Sequence, residues 1–284
     1  MLVIPVAAIA RGVCMLLLII AATPGGAAAQ KDYFNTDRGR PLHVQDATPI
    51  ERYAFELQAA PVRWSRSTGG RSVLSIEPEI AYGIFARTQL EIGLPVFITE
   101  GFGGGTRSGV GALHVSALHA LNVETLGLPG MALSVGVTVP GGNFGPRQAT
   151  TTLGAIGTRT LSFGRLHVNA DLTLGDAIDE DDSRWVGPTS AGLEELSRWS
   201  AGVAVDRALP LRSMLLGAEL VARQPVHDGA DLSWHVATGV RWQLDPYWAL
   251  DAGIGRTLGD EREWSLTLGA ARAFSLVNLI PLSR

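Results

Sequence analysis

The feature that most restricts the fold is a series of stretches, about ten residues each, in which every second side chain is apolar. In Val73–Ile84, Leu74, Ile76 and Ile80 share one parity, whereas Ser75 and Glu77 share the other. Because a β-strand sends alternate side chains to opposite faces, each stretch has one apolar and one polar face. Such strands, repeated along one chain, predict a barrel that is apolar outside and polar inside.

The first residues predict an export signal. Residues 1–29 hold one charge, Arg11, followed by the apolar run Val13–Ala22. Ala27 and Ala29 fit the small-x-small cleavage rule, so Gln30 is the expected mature N-terminus. The alternative is an uncleaved anchor, but the run is shorter than the ~20 residues that a membrane-spanning helix needs. We therefore expect secretory export and location in the outer membrane of a Gram-negative bacterium.

Composition excludes several classes of function and bounds the number of domains. The single cysteine, Cys14, lies in the signal, so the mature chain has no disulfide or thiol chemistry. Cleavage leaves 22 Lys and Arg against 27 Asp and Glu. Without a basic stripe, nucleic acid is not an expected partner. No linker rich in Ser, Pro or Gly divides the remainder, which predicts one domain.

The alternating stretches and the turn residues between them predict an all-β fold, an antiparallel up-and-down transmembrane β-barrel of about 12 strands. Connections in even positions are mostly short and those in odd positions longer, as expected for periplasmic turns and external loops. The predicted strands are Arg52–Arg63, Val73–Ile84, Thr88–Ile98, Gly109–Leu121, Met131–Pro140, Thr151–Leu161, Arg165–Gly175, Leu196–Asp206, Arg212–Arg223, Asp231–Gln243, Tyr247–Arg256 and Trp264–Phe274.

Aromatic side chains fall near the ends of the predicted strands, on the apolar parity. Amphipathic rings collect at membrane interfaces, so two girdles are expected. A soluble sandwich with core aromatics is the alternative, although a core would not sort its rings to strand ends. The predicted interface aromatics are Tyr53, Phe55, Tyr82, Trp199, Trp234, Trp242, Trp248, Trp264 and Phe274.

Several motifs carry a family resemblance. They are Asp37–Leu57, Glu77–Ile84, Thr88–Pro95, Gly157–Thr160 and Gly164–Asn169. With them the chain resembles the outer-membrane barrels grouped as phenol-degradation meta-pathway (MetA-like) proteins, over roughly residues 37–274. The resemblance implies a porin-like barrel that passes aromatic or other hydrophobic compounds. It implies no catalytic residues.

Strand parity assigns a polar set to the lumen. Such groups must be paired or hydrated, because burying an unpaired charge costs several kcal/mol. The predicted lumen-lining residues are Glu56, Glu77, Glu79, Glu91, His114, His167, Asp171, Glu219, Arg223, His235, Arg241 and Asp251. The carboxylates of the first three strands form a candidate cation-attracting wall. The alternative is that arginines such as Arg223 and Arg241 neutralise it.

Signals for catalysis or metal binding are weak. Ser116 and His114 share a face, but no nucleophile elbow or orienting third group accompanies them. The acidic run Asp176–Asp182 lacks the spacing of a calcium loop, so a solvated loop is expected. His43, His119 and His227 fit no metal-ligand spacing, and residues 101–105 do not lie between a strand and a helix as a phosphate cradle would. We expect no metal, no cofactor and no enzymatic activity.

Two segments flank the barrel, which spans residues 51–274. Residues 30–50 are polar and show no sustained period, so they either plug the lumen or hang free in the periplasm. Arg38 and Arg40 could meet the glutamate wall and so gate the pore. At the other end, residues 275–284 follow Phe274, although such barrels often end on an aromatic residue.

The pattern as a whole favours passive passage of small molecules, hydrophobic or aromatic ones among them, through an outer-membrane barrel. The alternatives are a closed structural or adhesion barrel with binding loops and, third, a lipid-modifying barrel enzyme. The expected partners are outer-membrane lipid, a small-molecule solute and the barrel-assembly machinery.

Overall fold

The computed structural model describes residues 34–59, 62–100, 105–146, 148–175, 197–225, 231–258 and 262–275. Within these ranges no helix has the length and apolar character needed to cross a membrane. Apart from a short 3-10 turn, Pro210–Arg212, the described elements are strands: β1 (Ala54–Gln58), β2 (Val62–Ser67), β3 (Ser72–Ile76), β4 (Glu79–Phe85), β5 (Thr88–Gly93), β6 (Val96–Glu100), β7 (Arg107–Val110), β8 (Leu113–Asn122), β9 (Gly130–Val139), β10 (Thr150–Leu161), β11 (Gly164–Leu174), β12 (Ser197–Leu209), β13 (Met214–Pro225), β14 (Ser233–Gln243), β15 (Trp248–Leu258) and β16 (Glu263–Ser275).

The first eight of these segments are the halves of four interrupted barrel strands. β1 and β2 pair with successive parts of β16, and β3 and β4 pair in turn with β2 and β1. The break between β3 and β4 contains Pro78, and the break between β5 and β6 contains Pro95. Proline has no N–H to donate to the ladder, so a strand tends to break where it occurs.

Counted this way, the sheet has twelve strands. Every pairing is antiparallel between sequence neighbours, and β1 pairs with β16, which closes the sheet into a barrel. The predicted fold class, an all-β antiparallel barrel of about twelve strands, is therefore confirmed. Each predicted strand overlaps an observed one, because alternation and turn residues are local signals.

The two ends of the barrel differ in their connections. At one end, here called the turn end, the connections are residues 86–87, 123–129, 162–163, 210–213 and 244–247. The opposite end is called the loop end, and its connections include 140–149 and 175–196. Residues 50 and 275 both lie at the turn end, as an even number of strands requires.

Burial alternates along each strand. In β9 the outward side chains of Leu133, Val135 and Val137 are exposed, whereas Ala132 and Thr138 face inward and are buried. The same exposed apolar parity recurs around the barrel, for example at Val203, Leu220 and Ile254. A large continuous apolar exterior is what a protein surrounded by lipid presents, and it is unusual on a soluble monomer.

Outward aromatics occur near both ends. Trp199, Trp234 and Trp264 lie on the loop-end parts of their strands, while Trp242, Trp248 and Tyr53 lie toward the turn end. Phe55 stacks on Tyr82 with 4.3 Å between ring centroids, and on Phe274 with 5.6 Å. Trp64, exposed on β2, belongs to the loop-end set but falls one residue beyond the predicted strand.

Candidate functional site

The segment Phe34–Ile50, here called the plug, lies inside the barrel. Its C-terminal part is fixed near the turn end, where Ile50 N donates to Gln89 Oε1 at 2.7 Å and Ala47 N donates to Thr158 Oγ1 at 3.0 Å. Followed from Phe34, the plug runs toward the loop end, turns, and returns to the turn end at Ile50. Thr36 N donates to Asp46 Oδ2 at 3.1 Å, which joins the two arms of this excursion.

The plug turns at residues 37–40, here called the tip. Asp37 and Arg40 form an isolated bridge, and Gly39 between them has a φ of 77°, a conformation that glycine adopts without strain. Arg38 NH2 donates to both carboxylate oxygens of Asp171 on β11, at 2.9 and 3.1 Å. The tip therefore reaches the loop-end half of the lumen, because Asp171 lies near the end of β11 that leads into the connection at 175–196.

Arg40 is completely buried in a cluster of charges. Its NH2 donates to Glu56 Oε1 at 2.8 Å and to Asp37 Oδ2 at 2.5 Å, and its NH1 lies 3.7 Å from Asp251 Oδ2. Burial by itself lowers the pKa of Arg40, but the carboxylates of Asp37, Glu56 and Asp251 outweigh it and raise the pKa. Arg40 is therefore a permanent cation.

Arg241 on β14 completes this cluster. Its Nε donates to Asp251 Oδ1 at 2.6 Å, and its NH2 lies 3.1 Å from Asp37 Oδ2. Arg241 also donates to two plug carbonyls, those of Asn35 and Arg40. Two arginines thus hold three carboxylates that belong to the plug, β1 and β15, an arrangement that satisfies buried charge by pairing.

A second group of charges holds the plug nearer the turn end. Arg165 binds Asp206 with Nε at 3.0 Å and NH2 at 2.6 Å, and its NH1 lies 3.4 Å from Asp46 Oδ2. His167 Nε2 is 2.9 Å from the same Asp206 carboxylate, while His167 Nδ1 is 3.0 Å from Thr158 Oγ1. Asp46 of the plug is thereby connected to β11 and β12.

Between these groups the plug has a short apolar face. Leu42 and Val44 pack with Ala204 and Val221 of the wall. Two wall glycines make room for it, since a Cβ on Gly217 would lie 2.7 Å from Leu42 Cδ1, and one on Gly239 would lie 2.4 Å from Pro41 Cγ. The fit of this face therefore depends on bare backbone at those two positions.

Beside the plug a cavity of about 90 Å³ remains. It lies against β4, β5 and β8–β11, and its lining includes Arg38, Glu77, Glu79, Glu91, His114 and Asp171. An engineered cavity that binds benzene measures about 150 Å³, and one water occupies about 30 Å³ of liquid. The cavity thus accommodates a few waters or a small ion but not an aromatic molecule.

All twelve residues assigned to the lumen by parity are either buried or on this cavity. The buried ones are Glu56, His167, Glu219, Arg223, His235, Arg241 and Asp251. The others, Glu77, Glu79, Glu91, His114 and Asp171, line the cavity. Three of the four wall glutamates are therefore together, whereas Glu56 lies apart from them at Arg40.

Both tip arginines lie among the wall glutamates, as expected, but their ion pairs differ. Arg40 pairs with the wall residue Glu56, whereas Arg38 pairs with Asp171 and shares the cavity with Glu91. Arg241, one of the arginines expected to neutralise the wall, pairs with Asp251 and Asp37 and also interacts electrostatically with the wall residue Glu56.

Sequence reasoning passed over some residues of this site. Asp206 shares the inward parity of Ser200 on β12 and could have been included on that ground. Arg63 donates to Gly39 O at 3.1 Å, but it is the last residue of the predicted strand Arg52–Arg63, where parity is a weak guide to the face. Asp37 and Asp46 lie in the plug, where no period indicates direction.

The structure gives Ser116 a hydrogen-bond partner other than His114. Ser116 Oγ donates to Glu91 Oε2 at 2.9 Å, so its proton is directed to a carboxylate. The acidic run Asp176–Asp182 and residues 101–104 lie outside the described residues, as do the predicted signal, residues 1–29, and the tail at 276–284.

Comparisons with solved structures show the same fold. An outer membrane channel from Pseudomonas putida F1 matches with a TM-score of 0.55 and 16% identity, covering 84% of this chain and 100% of that one. The KdgM porin (TM-score 0.45, 10% identity, 78% and 99% covered) and the NanC porin (0.47, 10%, 77% and 98%) are also similar. No protein-family model matches the chain, and neither does any curated protein.

Proposed function

We propose that this chain is an outer-membrane channel for passive passage of small molecules, and that the plug gates it. The observation that carries this proposal is a closed barrel with an apolar exterior whose polar lumen holds the plug, a segment that precedes the first strand and is not part of the barrel wall. Many contacts of the plug are hydrogen bonds and ion pairs. Water can replace such contacts when the segment moves, whereas it cannot replace the packing of an apolar core.

The proposed location and orientation follow from the same features. The exposed apolar band between two sets of aromatics suits a bilayer, and the short connections suit the periplasmic side. Both described termini then face the periplasm, which is where secretory export would deliver the chain. The plug enters the lumen from that side.

The size of the cavity bears on the solute. At about 90 Å³ it has room for water and small ions while the plug is in place, so an aromatic or hydrophobic solute, as the resemblance to MetA-like barrels implies, requires the plug to leave. The lining carries four carboxylates, Glu77, Glu79, Glu91 and Asp171, against the two arginines Arg38 and Arg63. We therefore propose that cations are favoured on the path beside the plug.

Single-channel recording in planar bilayers tests the proposal. The intact chain should give small, cation-selective current steps, and deletion of residues 30–50 should give larger steps. A correctly folded, heat-modifiable barrel that is silent in both forms would contradict a channel and favour the closed structural or adhesion barrel. A lipid-acyl product that is lost in Ser116→Ala would instead support the enzyme alternative.

A further inference from the structure

A cluster of three potential metal ligands joins the plug to the wall. His43 of the plug, Glu219 of β13 and His235 of β14 are all buried, and their ligand atoms lie within 4.8 Å of one another. These three residues are here called the bridge cluster. We propose that the bridge cluster binds a divalent transition-metal ion, Zn²⁺ in the first instance, and that the bound ion fastens the plug inside the barrel.

The donor set suits this ion. Two imidazoles and one carboxylate are ligands that zinc uses at sites where a fourth position is left to water. Around a tetrahedral zinc with bonds of ~2.1 Å the donors are roughly 3.4 Å apart. His43 Nδ1 and Glu219 Oε1, now 2.6 Å apart, would therefore move apart slightly, and no pair of ligand atoms in the cluster is separated by more than 4.8 Å. Calcium or magnesium would require more oxygen donors than the one carboxylate of the cluster offers.

His235 supplies the clearest indication of a missing ligand. Its Nδ1 is 3.2 Å from Thr257 Oγ1, which sets the orientation of the ring, while its Nε2 is buried and has no hydrogen-bond partner within the part of the chain that the structure describes. The ring lies over Gly255, where a Cβ would be only 2.7 Å from Nε2. A buried imidazole nitrogen without a partner is costly, and coordination to a metal would satisfy it.

Glu219 is also prepared for the role. Its Oε2 accepts the backbone N–H groups of His43 at 2.8 Å and Val44 at 2.9 Å, so the plug backbone fixes the carboxylate. Its Oε1 is 2.6 Å from His43 Nδ1. The ion would lie between these two atoms, and His43 would then bind it as a neutral imidazole with its hydrogen on Nε2.

The His43 and His235 rings complete the geometry. Their centroids are 4.5 Å apart and their planes are nearly perpendicular, at 84°, so the two rings meet edge to face while their ligand atoms stay within 4.8 Å of each other. Arg63 and Arg223 add positive charge near the cluster. We therefore expect a weaker affinity than that of a site with acidic surroundings.

Binding and gating can be tested separately. The folded full chain in detergent is titrated with ZnCl₂ by calorimetry, and with CoCl₂ by absorption, which reports tetrahedral coordination. One ion per chain is expected, with affinity about 100-fold weaker in His43→Ala and in His235→Ala. Thr257→Val, which removes the partner that orients His235, should weaken binding about 10-fold.

The matched control is His119→Ala. His119 is exposed near the turn end, where it lies 2.8 Å from Thr88 Oγ1, and it is remote from the bridge cluster. Its loss should leave affinity unchanged. Because His43 belongs to the plug and not to the barrel wall, His43→Ala keeps the test decisive even where His235→Ala fails to fold. Absence of zinc binding, or binding that persists in both cluster variants, would overturn the proposal.

The consequence for conductance rests on the proposed function. Zinc should lower the frequency of channel opening in the intact chain, and chelation should restore it, with no effect in His43→Ala. If zinc binds to the cluster but currents do not change, the metal site stands and the gating role of the plug is wrong. If currents are absent altogether, the channel proposal fails while the titration still decides the metal site.

Discussion

Arg40 is the residue whose loss should release the plug most directly. It is fully buried, and it is within ion-pairing distance of Glu56, Asp37 and Asp251. Replacement by methionine keeps the length of the side chain but removes the charge. Glu56 then loses its pairing with Arg40, while Arg241 still pairs with Asp251 and Asp37.

The magnitude follows from the burial of these groups. Breaking a buried ion pair costs about 3–5 kcal/mol, and the remaining pairing by Arg241 places this case near 3 kcal/mol. The barrel can avoid that cost by expelling the plug and admitting water to the acids. Since 1.4 kcal/mol corresponds to a factor of ten, the ratio of released to seated plug should rise about 100-fold.

A cysteine in the plug reports this ratio. The only native cysteine is Cys14, outside the described residues, so Val44→Cys introduces a single thiol into them, at a position that is 2% exposed. Its rate of modification by a maleimide should follow the fraction of released plug. In the Arg40→Met background the rate should be about 100-fold higher, and opening events in bilayers should become correspondingly more frequent.

Two controls separate this mechanism from a general loss of stability. Arg212→Met removes an arginine from the exposed turn at Pro210–Arg212 and should leave the rate unchanged. Adding Glu56→Gln to Arg40→Met removes the acid that has lost its pairing with Arg40 and should return much of the protection, because the two residues are coupled. Equal labelling rates in the Arg40→Met and Arg212→Met backgrounds would refute the reasoning.

Three further predictions concern the wall and the lining. Gly239→Val should displace the plug at Pro41 and increase conductance, because even its Cβ would lie 2.4 Å from Pro41 Cγ. Gly157→Val, where a Cβ meets nothing nearer than 4.0 Å, should leave conductance unchanged, and equal conductance of the two variants would argue against the described position of the plug. Glu91→Gln should reduce the preference for K⁺ over Cl⁻ measured from reversal potentials, since it removes one of four carboxylates from the cavity, and an unchanged reversal potential would mean that the ions take another path. Ile254 lies on the outer face near the middle of β15, so Ile254→Arg should lower the free energy of unfolding, measured by urea titration in lipid vesicles, by about 2–4 kcal/mol. Leu126→Arg, in the exposed connection 123–129, should change this free energy little, and similar losses in the two variants would contradict a membrane-facing exterior.

The strands show which parts of this molecule were accessible from sequence. The prediction Thr151–Leu161 corresponds to β10 at Thr150–Leu161, and Arg165–Gly175 corresponds to β11 at Gly164–Leu174. Alternation, flanking turn residues and loop lengths are all properties of neighbouring residues, so they determine strand number, strand direction and the face that each side chain occupies. The predicted strands Val73–Ile84 and Thr88–Ile98 run through Pro78 and Pro95, whereas the structure breaks both strands at these prolines.

The charges inside the barrel show what a local pattern leaves open. Parity alone could assign Glu56, Glu91 and Asp251 to the inner face, but it could not say which would meet a cation. Arg40 lies 16 residues from Glu56, and Arg241 lies 201 residues from the carbonyl of Arg40 that it binds. Such partners are selected by the curvature of the closed barrel and by the path of the plug.

The sequence by itself determined a closed barrel with an apolar exterior, a polar lumen and a polar segment ahead of the first strand, because each of these follows from the order of residues within about a dozen positions. Only the tertiary structure decided that this segment folds into the lumen, that a cavity of about 90 Å³ lies beside it, and that His43 meets Glu219 across 176 residues beside His235. The physical reason is that a strand pattern specifies a face but not a partner. Partners across a lumen are chosen by distance, charge and volume, and these exist only once the barrel has closed.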